Sequence, residues 1–352
     1  MPYQSKTKHS RGIESEGWVY QWTRGGLVPV PVETVKDRLE LVDGVPLKGR
    51  VTRESGVGAI EFAGDPAATL EEAVANVHEF MDRARKLGIE IMFSCRSPFD
   101  VSRAHTLETQ KSRFQAIVDA AKTEVGSAWV ALLEQNQYAA THLSAAYEGM
   151  RLDREAIDYR LLGVKNIIDN FGPQIAKIIC KKYGVDNTRH LAIFTTWAAK
   201  QRFSHFGMWS RDDHDFKRQL SRMTCFIKLV SGDKENGQWA PDLETRLNWE
   251  EDEDSMLLGV WHLCRPRKKY GTIETRILPS LPYGTLLPAL SDLDDFVTFL
   301  VDVIEPRDLQ VEGPNDFMSR KIWKQITAYK IGNFASLRAS YDQDAWLHDA
   351  FN

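Results

Sequence analysis

Polar and apolar positions alternate with a period of two through GIESEGWVYQW (12–22), which predicts a β-strand, and GVGAIEFAG (56–64) predicts a second, shorter strand bounded by glycines. About forty residues separate the two. Thr69 followed by Glu72 forms a capping box, and Val74, Val77, Met81 and Leu87 line one face of the helix it opens, until Gly88 stops it. IEIMFS (89–94) is the next strand. A second helix is expected over 106–125, where Phe114, Ile117, Val118 and Ala121 recur at helical spacing before Gly126. SAWVALL (127–133) and QYAATHLSAAY (137–147) read as strands, and 152–183 as helices broken at Gly172-Pro173, because proline cannot donate to the preceding turn. Residues 186–229 are expected to be helical and 231–255 to form an acidic exposed loop. LLGVWHLCRP and GTIETRILPS restore strand character over 258–280, before three helix-like segments. Strands and helices mix without regular βαβ alternation, so the expected class is α+β rather than a doubly wound sheet.

The chain has 352 residues, with 45 Lys+Arg against 49 Asp+Glu and a formal net charge of −4. A chain this long buries roughly 75% of its unfolded surface and needs no disulfide or structural metal as a staple. A charged fraction of 27% and a hydrophobic fraction of 43% exclude disordered and fibrous classes. No stretch reaches the ~18 uncharged apolar residues of a membrane-spanning helix, and MPYQSKTKHSRG lacks an apolar signal region, so a cytoplasmic location and no membrane partner are expected. Cys95, Cys180, Cys225 and Cys264 form no CxxC pair and read as reduced thiols. The acidic balance offers no field for nucleic acid, and the basic run Arg265-Pro266-Arg267-Lys268-Lys269 reads as a solvated loop.

Chemistry concentrates in the strands. Glu14 and Glu16 are two residues apart and point to one side of the first strand, aiming two carboxylates at one spot. An isolated ExE is usually a solvated sheet face, but Glu61 stands alone among apolar residues in AIEF, where a carboxylate is costly unless paired or metal-bound. Glu274 and Arg276 in TIETR share a face in the same way, framed by Ile273 and Ile277. Oxygen-rich acid clusters suit Mg²⁺, and arginine holds an anion bidentately, which together equip a site for phosphoryl transfer. His142, in ATHLS, is either a hydrogen-bonded core histidine or a metal or phosphate ligand. No GxxxxGK[ST], GxGxxG after a strand, HExxH or GxSxG is present.

The order GIESEG, GAIEFAGDP before a capped helix, Ser112-Arg113-Phe114, THLS and WHLCRP…GTIETRIL resembles the carboxylate–amine ligases typified by type 2 glutamate–cysteine ligase, within the glutamine-synthetase-like superfamily. The resemblance spans roughly residues 12–305. It implies a curved, mainly antiparallel sheet forming an active-site cleft with helices packed outside, a catalytic domain over 1–305 and a helical extension over 306–352. It further implies Glu14, Glu16, Glu61, His142 and Glu274 as metal ligands, with Glu61, Glu274 and Arg276 serving catalysis. Arg265, Arg276, Ser144 and Arg211 would hold the nucleotide or transferred phosphate, Arg211 through the loop Trp209-Ser210-Arg211. The implied cofactors are ATP with Mg²⁺ or Mn²⁺. Departures are Ser144 where the family has the second histidine of H-x-H, Phe114 for a tyrosine, and Leu278-Pro279-Ser280 where an aspartate usually follows.

Three functions follow from this resemblance: an amide-forming ligase that activates glutamate or another small carboxylate through an acyl phosphate, a phosphotransferase of the same fold, and a catalytically silent metabolite binder. Substrates are expected to be a small-molecule carboxylate and amine, and a closed homo-oligomer is the general expectation. Trp197, Trp209, Trp239 and Trp249 read as core or loop packing rather than as a planar substrate site.

Overall fold

The computed structural model describes residues 9–54, 57–95, 97–98, 139–150, 158–187, 263–267 and 271–304. The helix expected at 106–125, the strand at 127–133, the 231–255 loop, Cys225, the four tryptophans from 197 to 249 and the extension after 305 lie outside these residues. In chain order the elements are β1 (His9–Thr23), β2 (Gly26–Pro29), a 3₁₀ turn (Val32–Thr34), α1 (Lys36–Glu40), β3 (Leu41–Val42), β4 (Val45–Pro46), β5 (Gly49–Arg53) and β6 (Ala59–Gly64). There follow α2 (Leu70–Lys86), β7 (Glu90–Met92), β8 (Ala140–Tyr147), α3 (Tyr159–Tyr183), β9 (Cys264–Arg267), β10 (Thr272–Pro279) and α4 (Tyr283–Val303).

The main sheet runs β5-β6-β1-β8-β10-β9, with β2 and β7 added along the second half of β1 and every pairing antiparallel. This is the α+β arrangement that the irregular alternation of elements predicts. Side chains of β1 divide between the two faces as the period of two requires: Ile13 and Ser15 are buried, while Glu14 and Glu16 are half-buried on the opposite side. The buried face continues through Phe62 of β6, Leu143 and Ala145 of β8 and Ile273 of β10, and is covered by α2, α3 and α4. Phe80 of α2 stacks on Phe62 with ring centroids 4.7 Å apart.

The capping box forms at Thr69, whose hydroxyl accepts from the backbone N–H of Glu72 at 3.1 Å, and the Glu72 carboxylate accepts from Ala68 at 3.1 Å. Helix α3 departs from expectation. It is one 25-residue helix that runs through Pro173 unbroken. The missing donor is outweighed by burial of Ile168, Ile175, Ala176 and Ile179. Gly172 also lets the helix press on the sheet: a Cβ there would lie 2.7 Å from Ile277 Cγ2.

A buried polar cluster, unmarked in the sequence pattern, ties the start of β1 to α4. Arg11 pairs with Asp294 and donates to Thr298 Oγ1 at 3.0 Å, with its guanidinium 5.0 Å from the centre of the Tyr147 ring. Among the described residues no helix is long and apolar enough to cross a membrane.

Candidate functional site

The face of the sheet turned away from the helices carries the polar side chains. Across the sheet, Glu14 of β1 stands opposite Ala63 of β6 on one side and His142 of β8 on the other. One step along, Glu16 faces Glu61, which in turn faces Thr52 of β5. One step the other way, Gly12 faces Ser144, Ser144 faces Glu274 of β10, and Glu274 faces Arg265 of β9. Residues far apart in sequence thus converge because consecutive strands of the sheet share one pleat.

Glu16 is fixed at both ends. Its carboxylate accepts the backbone N–H of Ala140 at 2.7 Å, and its main-chain carbonyl accepts the Ser280 hydroxyl. Glu61 accepts the Thr52 hydroxyl at 2.8 Å. Glu54, one residue beyond β5 and on the same face as Thr52, completes a group with Glu16 and Glu61 in which one carboxylate oxygen from each lies within 4.8 Å of the others. Burial, then the charges of Glu54 and Glu61, push Glu16 well above the usual carboxylate range. Burial, then Glu14 and Glu54, push Glu61 up to about 8. Glu16, Glu54 and Glu61, crowded on one face, are an oxygen-only donor set, and they fit a hard divalent ion such as Mg²⁺.

The other half of the face has the opposite character. Glu274 is fully buried and meets three guanidiniums: Arg265 Nη2 at 2.8 Å, Arg267 Nη1 at 3.1 Å and Arg276 Nε at 2.6 Å. Burial alone would push its carboxyl up, but Arg265, Arg276, His142 and Arg267 outweigh it and hold it far below the usual range. Burial and then Arg276 lower the Arg265 guanidinium to about 10. His142 Nδ1 lies 3.2 Å from Glu14 Oε2 and 3.5 Å from Glu274 Oε1, and Nε2 lies 3.9 Å from Glu16 Oε1. Burial and then Arg276 lower the imidazole below its ordinary value, leaving it neutral and able to ligate at neutral pH. On Glu14, burial and the Glu274 charge act upward, while His142 and Arg265 prevail and hold it below its ordinary value. Glu14, His142 and Glu274 form a second group of donors within 4.8 Å. It fits a cation less well than the acid trio, since the Glu274 charge is already compensated by arginines.

Glu14, Glu16, Glu61, His142, Glu274, Arg265, Arg276 and Ser144 are therefore brought to one face, while Arg211 lies outside the described residues. The basic run is not a solvated loop at its start: Arg265 is buried and Arg267 half-buried in β9, held there by Glu274 across the ladder. Two members of the constellation escaped the sequence reading. Glu54 follows a short strand, GRVTR, whose only large apolar residue is Val51, yet Arg50, Thr52 and Glu54 alternate around it as one polar face. Arg267 was hidden by the charge run around it.

A family model described as glutamate-cysteine ligase family 2 matches residues 11–141. Over that segment the chain resembles glutamate–cysteine ligase family 2. The match takes in Glu14, Glu16, Glu54 and Glu61 and ends one residue before His142, so the arginine-rich half of the face lies beyond it. No curated protein sequence matches the chain. Among solved structures, a bifunctional glutathione synthetase from Pasteurella multocida is similar over 98% of this chain and 46% of its own, at 10% identity and a TM-score of 0.41. A glutamate–cysteine ligase from Francisella tularensis, in complex with AMP, is similar over 99% of this chain and 78% of its own, at 10% identity and a TM-score of 0.37. The chain therefore spans less than half the length of the first of these.

Proposed function

We propose that the protein is an ATP-dependent carboxylate–amine ligase. The observation that carries this reading is the division of one sheet face into a crowded acid trio, Glu16, Glu54 and Glu61, and an arginine cluster around Glu274, with Glu14 and His142 between them. The match of the acid-bearing segment to glutamate–cysteine ligase family 2 supports it.

In this reading an oxygen of the carboxylate substrate attacks the γ-phosphorus of ATP. The bond to the β-phosphate oxygen breaks, and ADP leaves. The amine then attacks the acyl carbon of the resulting acyl phosphate, a C–N bond forms, inorganic phosphate leaves and the amine loses a proton. Glu16, Glu54 and Glu61 would hold Mg²⁺ or Mn²⁺, with Glu14 and His142 adjoining, and such a cation when bound neutralises phosphate charge. Arg276 and Arg265 stabilise the charge that spreads over the transferring group, in a partly buried setting where such donors act strongly. Glu274 positions those arginines. No side chain serves as a nucleophile.

Hydroxylamine trapping tests the proposal: incubation with ATP, Mg²⁺ and pools of carboxylic and amino acids, followed by mass spectrometry. A hydroxamate together with ADP is the expected result and names the carboxylate. ADP without hydroxamate would instead indicate a phosphotransferase. ATP binding with neither product would indicate a silent binder.

A further inference from the structure

Glu16 stands where β1 changes partners. The β1–β8 ladder ends at Ser15 and Thr141, and the β1–β7 ladder begins at Trp18 and Met92, so Glu16 and Gly17 lie between the two. Ser280, the residue after β10, reaches into that interval. Its hydroxyl donates to the Glu16 main-chain carbonyl past the end of β8, and its backbone N–H donates to the Ala139 carbonyl at 2.9 Å. The same Ala139–Ala140 peptide turns its N–H to the Glu16 carboxylate at 2.7 Å. One serine therefore holds Glu16 at its main chain directly and at its carboxylate through a single intervening peptide. Hydrogen bonds in series polarise one another, and Ser280 is only 1% exposed, so water does not compete for them.

The register of β10 explains how Ser280 comes to be there. Thr275 faces Leu143 and Leu278 faces Thr141, so three steps along β10 run against two along β8. This bulge keeps Arg276 on the site face beside Glu274 while Ile277 and Leu278 both turn into the core. It also delays β10 by one residue, which sets Ser280 beside Ala139. Without the extra residue Pro279 would occupy that place, and proline offers neither a hydroxyl nor an N–H. Ser280 is thus the point at which the chain that carries Glu274 and Arg276 touches the strand of Glu14 and Glu16 without β8 between them.

We propose that Ser280 is a positioning residue for the cation site: it fixes Glu16 in the acid trio and with it the spacing of the trio from the arginine cluster. This rests on the trio holding the cation in the ligase reading above. Ser280 touches neither cation nor substrate and acts through Glu16. Loss of an outer partner of a metal ligand typically costs about 10–100-fold in affinity.

Mn²⁺ titration of the full chain, read from the paramagnetic resonance signal of the free ion, tests it. Ser280→Ala is expected to weaken Mn²⁺ about tenfold, and Ser280→Thr, which restores the hydroxyl, to bind within about threefold of wild type. Should Ser280→Ala not fold, Ser280→Cys, with its weak donor, takes its place. In a Glu16→Gln background the same Ser280→Ala change should weaken Mn²⁺ less than about twofold, because the group it positions is gone. A merely structural serine would give the same loss in both backgrounds, and that result would overturn the proposal. Unchanged Mn²⁺ affinity in Ser280→Ala, or equal losses in Ser280→Ala and Ser280→Thr, would also overturn it. Hydroxamate trapping separates this proposal from the ligase reading. A hydroxamate from wild type together with Ser280-independent Mn²⁺ affinity keeps the ligase and removes the positioning role. Ser280-dependent Mn²⁺ affinity without ADP or hydroxamate removes the ligase and keeps the positioning role.

Discussion

Glu16 and Glu61 are direct cross-strand partners on β1 and β6, so two carboxylates occupy adjacent positions on one half-buried face. Like charges directly opposed in a sheet are destabilising, and among the described residues the hydroxyl of Thr52 and the amide of Ala140 each donate to one of the two carboxylates, too little to offset two charges. The pair is strained electrostatically unless a proton or a cation joins it.

This strain gives stability a pH dependence with a definite sign. Folded Glu61 holds its proton up to about 8, against 4.5 for the free side chain, so between those values the folded state binds more protons than the unfolded state. Stability on this account is full below about 4.5 and is lost as pH rises through about 8. The metal-free protein should therefore melt at falling temperature from pH 5.5 to 8.5, and Glu61→Gln should flatten that slope and melt no lower than wild type at pH 8. Parallel slopes for the two proteins in a thermal-shift series would show that Glu61 carries no such strain.

Cation binding must displace the protons that Glu16 and Glu61 hold. Mn²⁺ affinity should rise by at least about tenfold per pH unit between pH 6 and 8, with about one to two protons released per ion. Titration calorimetry in two buffers of different ionisation enthalpy measures that release directly. Glu54→Gln removes one charged oxygen ligand and should weaken Mn²⁺ at least about tenfold, with little change in melting temperature. Unaltered Mn²⁺ affinity would exclude Glu54 from the cation site.

The acid face was legible in the sequence because strand periodicity alone puts Glu14 beside Glu16, and because Glu61 is conspicuous among apolar neighbours. Helix α2 was legible because its capping box and its stop are local signals. Glu54 and Arg267 were not, since both depend on pairing: β5 is too short and polar to stand out, and Arg267 is drawn into the sheet by Glu274 across a ladder that no local pattern announces. Pro173 misled for the converse reason: a correct local rule was overruled by packing on the sheet.

That reversal is itself testable. Within a continuous helix a proline at position 173 supplies no backbone N–H, and an interior proline costs about 3 kcal/mol relative to alanine. Pro173→Ala should therefore stabilise the protein by about 1–3 kcal/mol in denaturant unfolding. A neutral or destabilising result would mean that the chain needs a break at 172–173. Gly172→Ala should act the other way and destabilise by about 1–3 kcal/mol through overpacking, because its methyl would meet Ile277 at 2.7 Å.

Glu274 and Glu61 are both carboxylates of the same face, but their removal should have opposite consequences for folding. Glu61 is surrounded by acids, so Glu61→Gln relieves repulsion. Glu274 is the anion that three guanidiniums share, and Glu274→Gln would remove that shared carboxylate from Arg265, buried with only 3% of its side chain exposed, and from Arg267 and Arg276. Removing one partner of a buried ion pair typically costs about 3–5 kcal/mol, and the loss here falls on a cluster rather than a pair. Denaturant unfolding of Glu274→Gln should show a destabilisation of that size, and added inorganic phosphate should recover part of it by supplying an anion to the arginines. Stability equal to wild type would mean that the three arginines do not depend on Glu274, and their placement would then have to come from the β9–β10 ladder alone.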